Sequence, residues 1–111
     1  VKVSLCAPWM AAHLCGVIAS MTSIPVSGVP LKASLEGVDA LYSMVQMPPG
    51  IPVATVGINA AENAALLAVQ MMATSDEELY RRLEAYKESL KEKVVKANRE
   101  LAEVKFEHKT N

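Results

Sequence analysis

Charged side chains are distributed very unevenly along this chain of 111 residues. Residues 1–74 carry only five of its 11 basic and 12 acidic side chains, and residues 75–111 carry the other 18. A segment so poor in charge has to bury its surface on several sides, whereas a segment so rich in charge is largely solvated. We therefore expect a core over 1–74 and a long amphipathic C-terminal helix with a tail over 75–111.

Short apolar runs alternate with helical patterns in the first part. We predict strands over 1–5, 25–29 and 53–58 and helices over 11–21, 35–47 and 59–72, with Ser34 and Asn59 as helix caps. This alternation favours right-handed parallel crossovers, and strands without polar alternation are covered by helices on both faces. The sequence therefore predicts an α/β class, as a three-layer partial parallel sheet. We expect more chain or another subunit to cover its exposed apolar edge.

The second part reads as one long helix. Ser75-Asp76-Glu77-Glu78 forms a capping-box pattern, which predicts that the helix begins there. Roughly 25 residues would extend about 38 Å, so the helix is expected to project from a small core. Its apolar stripe would pack either on its own domain or on a neighbouring subunit, and the length favours the neighbour. The stripe consists of Leu79, Leu83, Tyr86, Leu90, Val94, Ala97 and Leu101.

Composition excludes several classes of function. The net charge is −1 and aromatic residues make up 5% of the chain, which predicts no nucleic-acid partner and no anionic membrane surface. Cys6 and Cys15 form no disulfide framework, and without a Cys-x-x-Cys or paired histidines we expect no metal site. The sequence also shows no leader pattern and no uninterrupted apolar run of 18 residues. We therefore expect a cytoplasmic protein.

One histidine, His13, lies where a ligand-binding site is expected. His13 follows the first predicted strand and lies in the first turn of a predicted helix, where ligands of open parallel sheets bind. An imidazole there can act as a general acid or base near neutral pH, although a lone histidine is more often structural. Trp9, in the loop before it, would either stack on a ligand or plug the top of the sheet, and we favour the plug. Cys6 and Cys15 are interpreted as small buried hydrophobes.

The second region of interest is the turn Met47-Pro48-Pro49-Gly50, which leads directly into the third predicted strand. Its prolines fix φ and remove hydrogen-bond donors, and Gly50 can adopt a positive φ. The pattern predicts a rigid connection. No Gly-x-Gly-x-x-Gly or P-loop pattern is present, which argues against a dinucleotide or nucleoside triphosphate site.

These segments together resemble the aminoimidazole ribonucleotide carboxylase/mutase family of purine biosynthesis. Ala11-Ala12-His13-Leu14 is similar to its Ala-Ala-His-Leu-Pro-Gly motif, with Cys15 in place of the proline, and 37–48 is similar to its helix and turn. The resemblance implies a flavodoxin-like subunit, here truncated, in a homo-octamer whose C-terminal helices reach neighbouring subunits. It implies carboxylate transfer on an aminoimidazole ribonucleotide without a cofactor. It also implies that His13 is catalytic and that Ala11, Ala12 and Leu14 bind the substrate.

The chain departs from the family pattern in two places. The 111 residues contain neither the family's Gly-Ser-x-Ser-Asp phosphate loop nor its Ser-Ala-His-Arg motif, and 6–10 replace a glycine-rich loop with bulky side chains. One hypothesis is a purine-biosynthetic mutase (an isomerase) or carboxylase (a lyase) that needs its other half from a separate segment or chain. The alternative is a non-catalytic assembly module, degenerate or engineered, that retains the fold and the oligomer interfaces.

Overall fold

The computed structural model describes residues 1–9 and 13–104. Within them, three short strands alternate with three helices, and a longer fourth helix follows. The strands are all parallel and lie side by side in the order β1-β2-β3, which confirms the predicted α/β class. The elements are β1 (Ser4–Cys6), α1 (Leu14–Met21), β2 (Val26–Gly28), α2 (Val38–Val45), β3 (Ala54–Thr55), α3 (Ala61–Ala73) and α4 (Glu77–Glu103).

The central strand β2 organises the core. All three of its residues are buried, and its register places Gly28 opposite Cys6 of β1 and Thr55 of β3. A Cβ added to Gly28 would lie 3.2 Å from the sulfur of Cys15 in α1 and 2.5 Å from that of Met44 in α2. Helices α1 and α2 therefore cover the same face of the sheet. Side chains alternate along a strand, so the fully buried Ser27 points to the other face.

Helix α3 contacts β1, β2 and the N-terminal part of α4. Its buried residues are Ala64, Ala68 and Ala73, whose small side chains allow the helix to approach its neighbours closely. None of the helices in the described ranges has the length and apolarity needed to cross a lipid bilayer.

The strands and the first two helices are shorter than predicted, and two predicted caps are wrong. Helix α2 begins at Val38 instead of residue 35, because Leu35, Glu36 and Gly37 form a turn with positive φ angles of 46°, 57° and 84°. Ser34 therefore precedes this turn and does not cap the helix. Helix α3 follows Ala60, without a side-chain cap. The sequence-based boundaries fail here because the loops adopt left-handed backbone conformations that a pattern of apolar residues does not reveal.

Helix α4 contains 27 residues, which corresponds to about 40 Å. Its cap is Asp76, whose carboxylate accepts a hydrogen bond from the Leu79 amide at 3.0 Å, so the prediction of Ser75 in this role is off by one residue. No residue of α4 is fully buried. From residue 91 to residue 104 every side chain is exposed, so the distal half of the helix touches little of its own chain.

Candidate functional site

Three loops meet where the parallel strands end. They follow β1, β2 and β3, and backbone hydrogen bonds join them to one another. The Leu31 amide donates to the Pro8 carbonyl at 3.2 Å, and the Asn59 amide donates to the Pro30 carbonyl at 2.8 Å. The carboxyl edge of an open parallel sheet is where such folds bind ligands, so this edge is the candidate site.

Backbone strain in the described residues is concentrated at this edge. Three residues other than glycine have positive φ angles there: Leu35, Glu36 and Asn59. Each such residue costs on the order of 1–2 kcal/mol, so the surrounding contacts must hold it in place. For Asn59 the contact is visible, because its side-chain oxygen accepts a hydrogen bond from the Lys32 amide at 2.9 Å.

Asn59 thus fixes the loop after β2 against the loop after β3. The prediction that it caps the third helix is wrong, because its side chain is committed to Lys32. Lys32 itself is exposed and forms an ion pair with Glu36 in the same loop. Sequence reasoning did not single out Lys32. The signal that could have found it is the isolated charge pair at i and i+4 inside a segment otherwise nearly free of charge.

His13 lies at this edge, immediately before α1. It occupies the N-cap position, where its carbonyl accepts the first helical hydrogen bond from the Val17 amide at 2.8 Å, and its imidazole is exposed and makes no cap hydrogen bond. Leu14 is 50% exposed beside it. Ala11 and Ala12, which were predicted to bind substrate, lie outside the described residues. An exposed imidazole next to the positive end of a helix can both contact an anion and exchange protons with it.

Gly16 brings the two sequence motifs together. A Cβ added to Gly16 would lie 3.1 Å from the Met47 terminal methyl and 3.9 Å from His13 Nδ1. Met47 therefore reaches from the turn after α2 to the first turn of α1, close to the histidine. The turn itself agrees with the prediction, because Gly50 has a φ of +95° and the Ile51 amide donates to the Pro48 carbonyl.

Two other sequence-based interpretations can now be judged. Trp9 is 72% exposed, so the prediction that it plugs the top of the sheet is wrong.

Both cysteines are free and buried, which confirms their interpretation as small hydrophobes. Burial, reinforced by a hydrogen bond between the two thiols, raises the pKa of Cys15 to about 12. A thiol with so high a pKa is not an activated nucleophile at neutral pH. Across the described ranges, no three His, Cys, Asp or Glu side chains cluster as metal ligands.

Comparison with known protein families shows which family this chain belongs to. The model of the AIR carboxylase family matches residues 1–93, which is most of the chain. The chain belongs to the AIR carboxylase family. The match includes all three strands, His13, Met47 and the strained loops. It ends inside α4, close to the point at which the side chains of that helix become uniformly exposed.

Individual members of the AIR carboxylase family agree with this assignment. A protein of Methanocaldococcus jannaschii named N5-carboxyaminoimidazole ribonucleotide mutase is 53% identical over 95 residues, which cover 86% of this chain and 60% of the relative. The protein of that name from Thermotoga maritima is 45% identical over 102 residues, which cover 91% and 60%. A chloroplastic phosphoribosylaminoimidazole carboxylase of Vigna aconitifolia is 53% identical over 87 residues, or 78% of this chain and 16% of the relative. The chain thus spans about 60% of the length of the two mutases.

Proposed function

We propose that this chain acts in purine biosynthesis, as part of an enzyme that transfers a carboxylate on an aminoimidazole ribonucleotide. The observation that carries the proposal is the exposed His13 imidazole at the carboxyl edge of the sheet, inside the segment that matches the family. In this proposal His13 is catalytic, and Ala11, Ala12 and Leu14 bind the substrate. Mutase and carboxylase activity both remain open, because relatives of both names match the chain.

In the mutase reaction the bond between nitrogen and the carboxyl carbon of the carboxylated nucleotide breaks, so carbon dioxide is released and the nitrogen gains a proton. The carbon dioxide is then recaptured by a new bond to a carbon of the imidazole ring. That carbon then loses its proton, and the electron pair of the broken C–H bond restores the aromatic ring. His13 would orient the carboxylate by donating a hydrogen bond. The remaining proton transfer would be performed by residues outside these 111, because the family's Ser-Ala-His-Arg motif is not among them.

Calorimetric titration of the chain with aminoimidazole ribonucleotide tests this proposal. We expect saturable binding at one site per chain. His13→Asn should weaken binding at least tenfold, because it removes the imidazole from the carboxyl edge. His108→Asn is the matched control, since His108 is the other histidine and lies in the C-terminal tail. Heats that do not saturate at millimolar nucleotide, or equal affinities for the two variants, would contradict the role of His13.

Turnover requires a second experiment. The part of the M. jannaschii relative that the match does not cover can be fused to this chain, and conversion of the carboxylated nucleotide can be followed by absorbance. We expect activity in the fusion and its loss with His13→Asn. A fusion that folds and binds nucleotide but shows no turnover would contradict the catalytic proposal and leave a binding module.

We also propose that the chain forms a homo-oligomer, an octamer by the family resemblance, in the cytoplasm. The support is the distal half of α4, where Val94 and Leu101 are each 59% exposed. A groove of about 310 Å³ between α3 and α4, lined by apolar residues that include Leu66, Leu83 and Leu90, offers a surface on which such a stripe can pack. We likewise propose that the chain divides at residue 74 into an α/β core with a partial sheet and a long amphipathic C-terminal helix with a tail.

The oligomer is tested by mass from sedimentation. The double variant Val94→Gln with Leu101→Gln should dissociate it, and Glu92→Gln with Arg99→Gln is the control on the polar positions of the same helix segment. Leu83 and Leu90 are less suitable, because they line the groove against α3 and their substitution also disturbs the fold. An oligomer that survives the first pair would contradict the interface. Assembly without any nucleotide binding would favour the alternative function, a non-catalytic assembly module.

A further inference from the structure

Three sulfur atoms from three different elements meet over the central strand. Cys6 ends β1, Cys15 lies in the first turn of α1, and Met44 lies in the last turn of α2. Their exposed fractions are 5%, 1% and 2%, and they belong to one buried cluster. The Cys15 sulfur lies 3.6 Å from the Met44 sulfur. Cys6 is paired with Gly28 in the sheet, and a Cβ at Gly28 would point at these two sulfurs, so the Cys6 side chain lies on the same face of the sheet.

Gly28 creates the space in which these sulfurs meet. A methyl group at that position would lie 2.5 Å from the Met44 sulfur and 3.2 Å from the Cys15 sulfur, so a larger residue would separate them. The other members of the cluster are aliphatic: Val26, Ile18, Ala19 and Val53. The cluster therefore offers sulfur donors in an apolar setting, with the Cys6 carbonyl oxygen, 3.6 Å from the Cys15 sulfur, as the nearest harder donor.

We propose that Cys6, Cys15 and Met44 form a binding site for one copper(I) ion. Thiolate and thioether donors are the ligands that select copper(I) among the common metal ions. A metal–sulfur distance of about 2.3 Å places two sulfurs of a trigonal plane about 4 Å apart. The observed separation of the Cys15 and Met44 sulfurs, 3.6 Å, needs only a few tenths of an ångström of expansion to reach that spacing.

Three donors and an apolar wall also argue against zinc. Structural zinc sites are almost always four-coordinate, and their ligands are drawn from cysteine, histidine and carboxylates. No such fourth ligand joins these sulfurs in the part of the chain that the structure describes. The sequence alone predicts no metal site here, because methionine is absent from the spacing motifs and the three sulfurs lie far apart along the chain.

Binding involves proton displacement and no electron transfer. The S–H bond of one of the two cysteines breaks, its electron pair forms the bond to copper(I), and the proton leaves to solvent. The other cysteine and Met44 contribute sulfur lone pairs. One thiolate and one monovalent cation leave no net charge in the core, which avoids the large cost of an unpaired buried charge.

The test is an oxygen-free competition for copper(I) between the full chain and the chromophoric chelator bathocuproine disulfonate. We expect one copper(I) per chain, and X-ray absorption should show three sulfur neighbours at about 2.3 Å. Met44→Leu removes one ligand while nearly conserving volume, so the chain should stay folded and its copper affinity should fall at least ~10-fold. Met47→Leu is the matched control and should leave the affinity unchanged, because Met47 contacts Gly16 and does not belong to the sulfur cluster.

Two cysteine variants extend the test. Cys15→Ser and Cys6→Ala should each abolish copper retention, with circular dichroism reporting whether the chain is folded. If these cysteine variants fail to fold, the comparison of Met44→Leu with Met47→Leu still tests the copper(I) site. Complete transfer of copper to the chelator, equal affinities for Met44→Leu and the unaltered chain, or oxygen and nitrogen neighbours in the absorption spectrum would each overturn the site. So would exposure to copper that yields only a Cys6–Cys15 disulfide.

Discussion

The core over residues 1–74 and helix α4 obtain their order from different sources. Every fully buried hydrophobic side chain in the described ranges lies between Cys6 and Ala73, whereas α4 has none in its 27 residues. The core elements are two to 13 residues long, and the shortest of them have little stability of their own, so contacts between elements hold them. Helix α4 is stabilised mainly by local interactions, which are its cap and the charge pairs along its surface. Only one of its faces packs on α3. Substitutions should therefore cost much in one region and little in the other.

The largest contrast is expected between Met44→Ala and Leu101→Ala. Met44 is 2% exposed and fills the space between α1, α2 and β2, so its truncation should lower the free energy of unfolding by about 3 kcal/mol through lost burial and a cavity. Leu101 is 59% exposed in the single chain and alanine is an excellent helix former, so in the dissociated chain its truncation should change stability by less than about 0.5 kcal/mol. Urea denaturation of both variants gives the two values. A large cost at Leu101 would show that α4 is still packed against a second subunit in the protein whose unfolding is measured.

A second contrast uses two glycines with left-handed backbones. Gly37 and Gly50 have φ angles of +84° and +95°, so alanine is strained at both and should cost about 1 kcal/mol. At Gly37 the new methyl would also lie 2.8 Å from Ile58 and 3.2 Å from the backbone of Lys32, whereas at Gly50 no atom lies within 4 Å. Gly37→Ala should therefore cost about 1–3 kcal/mol more than Gly50→Ala. Equal losses in thermal unfolding would mean that the loop after β2 yields freely and is not a rigid wall of the candidate site.

A smaller effect is expected at the start of α4. Asp76→Ala removes the carboxylate that accepts the Leu79 amide hydrogen bond, which should destabilise the helix by about 1 kcal/mol. Ser75→Ala should be nearly neutral, because Ser75 precedes the cap and its side chain makes no cap hydrogen bond. Helicity and denaturant midpoints of the two variants measure the difference. The opposite ranking would restore the capping box that the sequence pattern predicts.

The start of α4 shows how much of the fold can be predicted from the sequence. The charge distribution is enough to divide core from helix, and the alternation of apolar runs is enough to predict a parallel sheet, because both depend only on residue type and period. The stripe from Leu79 to Leu101 likewise predicts α4 to within a few residues. The exact cap is harder, because Ser75 and Asp76 both carry suitable oxygens and only backbone geometry selects between them.

The candidate site was predictable only in part, for a related reason. His13 lies at the carboxyl edge, as expected for a residue between a strand and the following helix, although it precedes α1 and does not lie in its first turn. Asn59 was assigned to a cap, since nothing in the sequence shows that its side chain reaches Lys32, 27 residues away. Trp9 was expected to plug the top of the sheet, but its side chain is 72% exposed. Contacts between distant loops depend on strand register, which the apolar pattern leaves unspecified.

The last contrast concerns the one hydrogen bond between side chains that joins α3 to α4 in the described ranges. The Tyr86 hydroxyl donates to the Glu62 carboxylate at 2.9 Å, and this bond, together with the nearby negative charge, raises the pKa of Tyr86. Losing the proton would break the bond and place a phenolate beside a carboxylate. The stabilisation is thus fully present below the pKa of tyrosine in the unfolded chain and disappears as the pH rises through the higher folded value.

Glu62→Gln should therefore lower the pKa of Tyr86 towards that of free tyrosine, and Glu100→Gln, far along the same surface, should not. Ring-carbon chemical shifts of labelled tyrosine, followed through alkaline pH, report Tyr86 separately from Tyr42 and Tyr80. If Glu62→Gln leaves the Tyr86 titration unchanged, the two helices are not joined through this pair in solution. The core and α4 would then be linked by apolar contact alone, and the distal helix would be free to choose its orientation when it meets a second subunit.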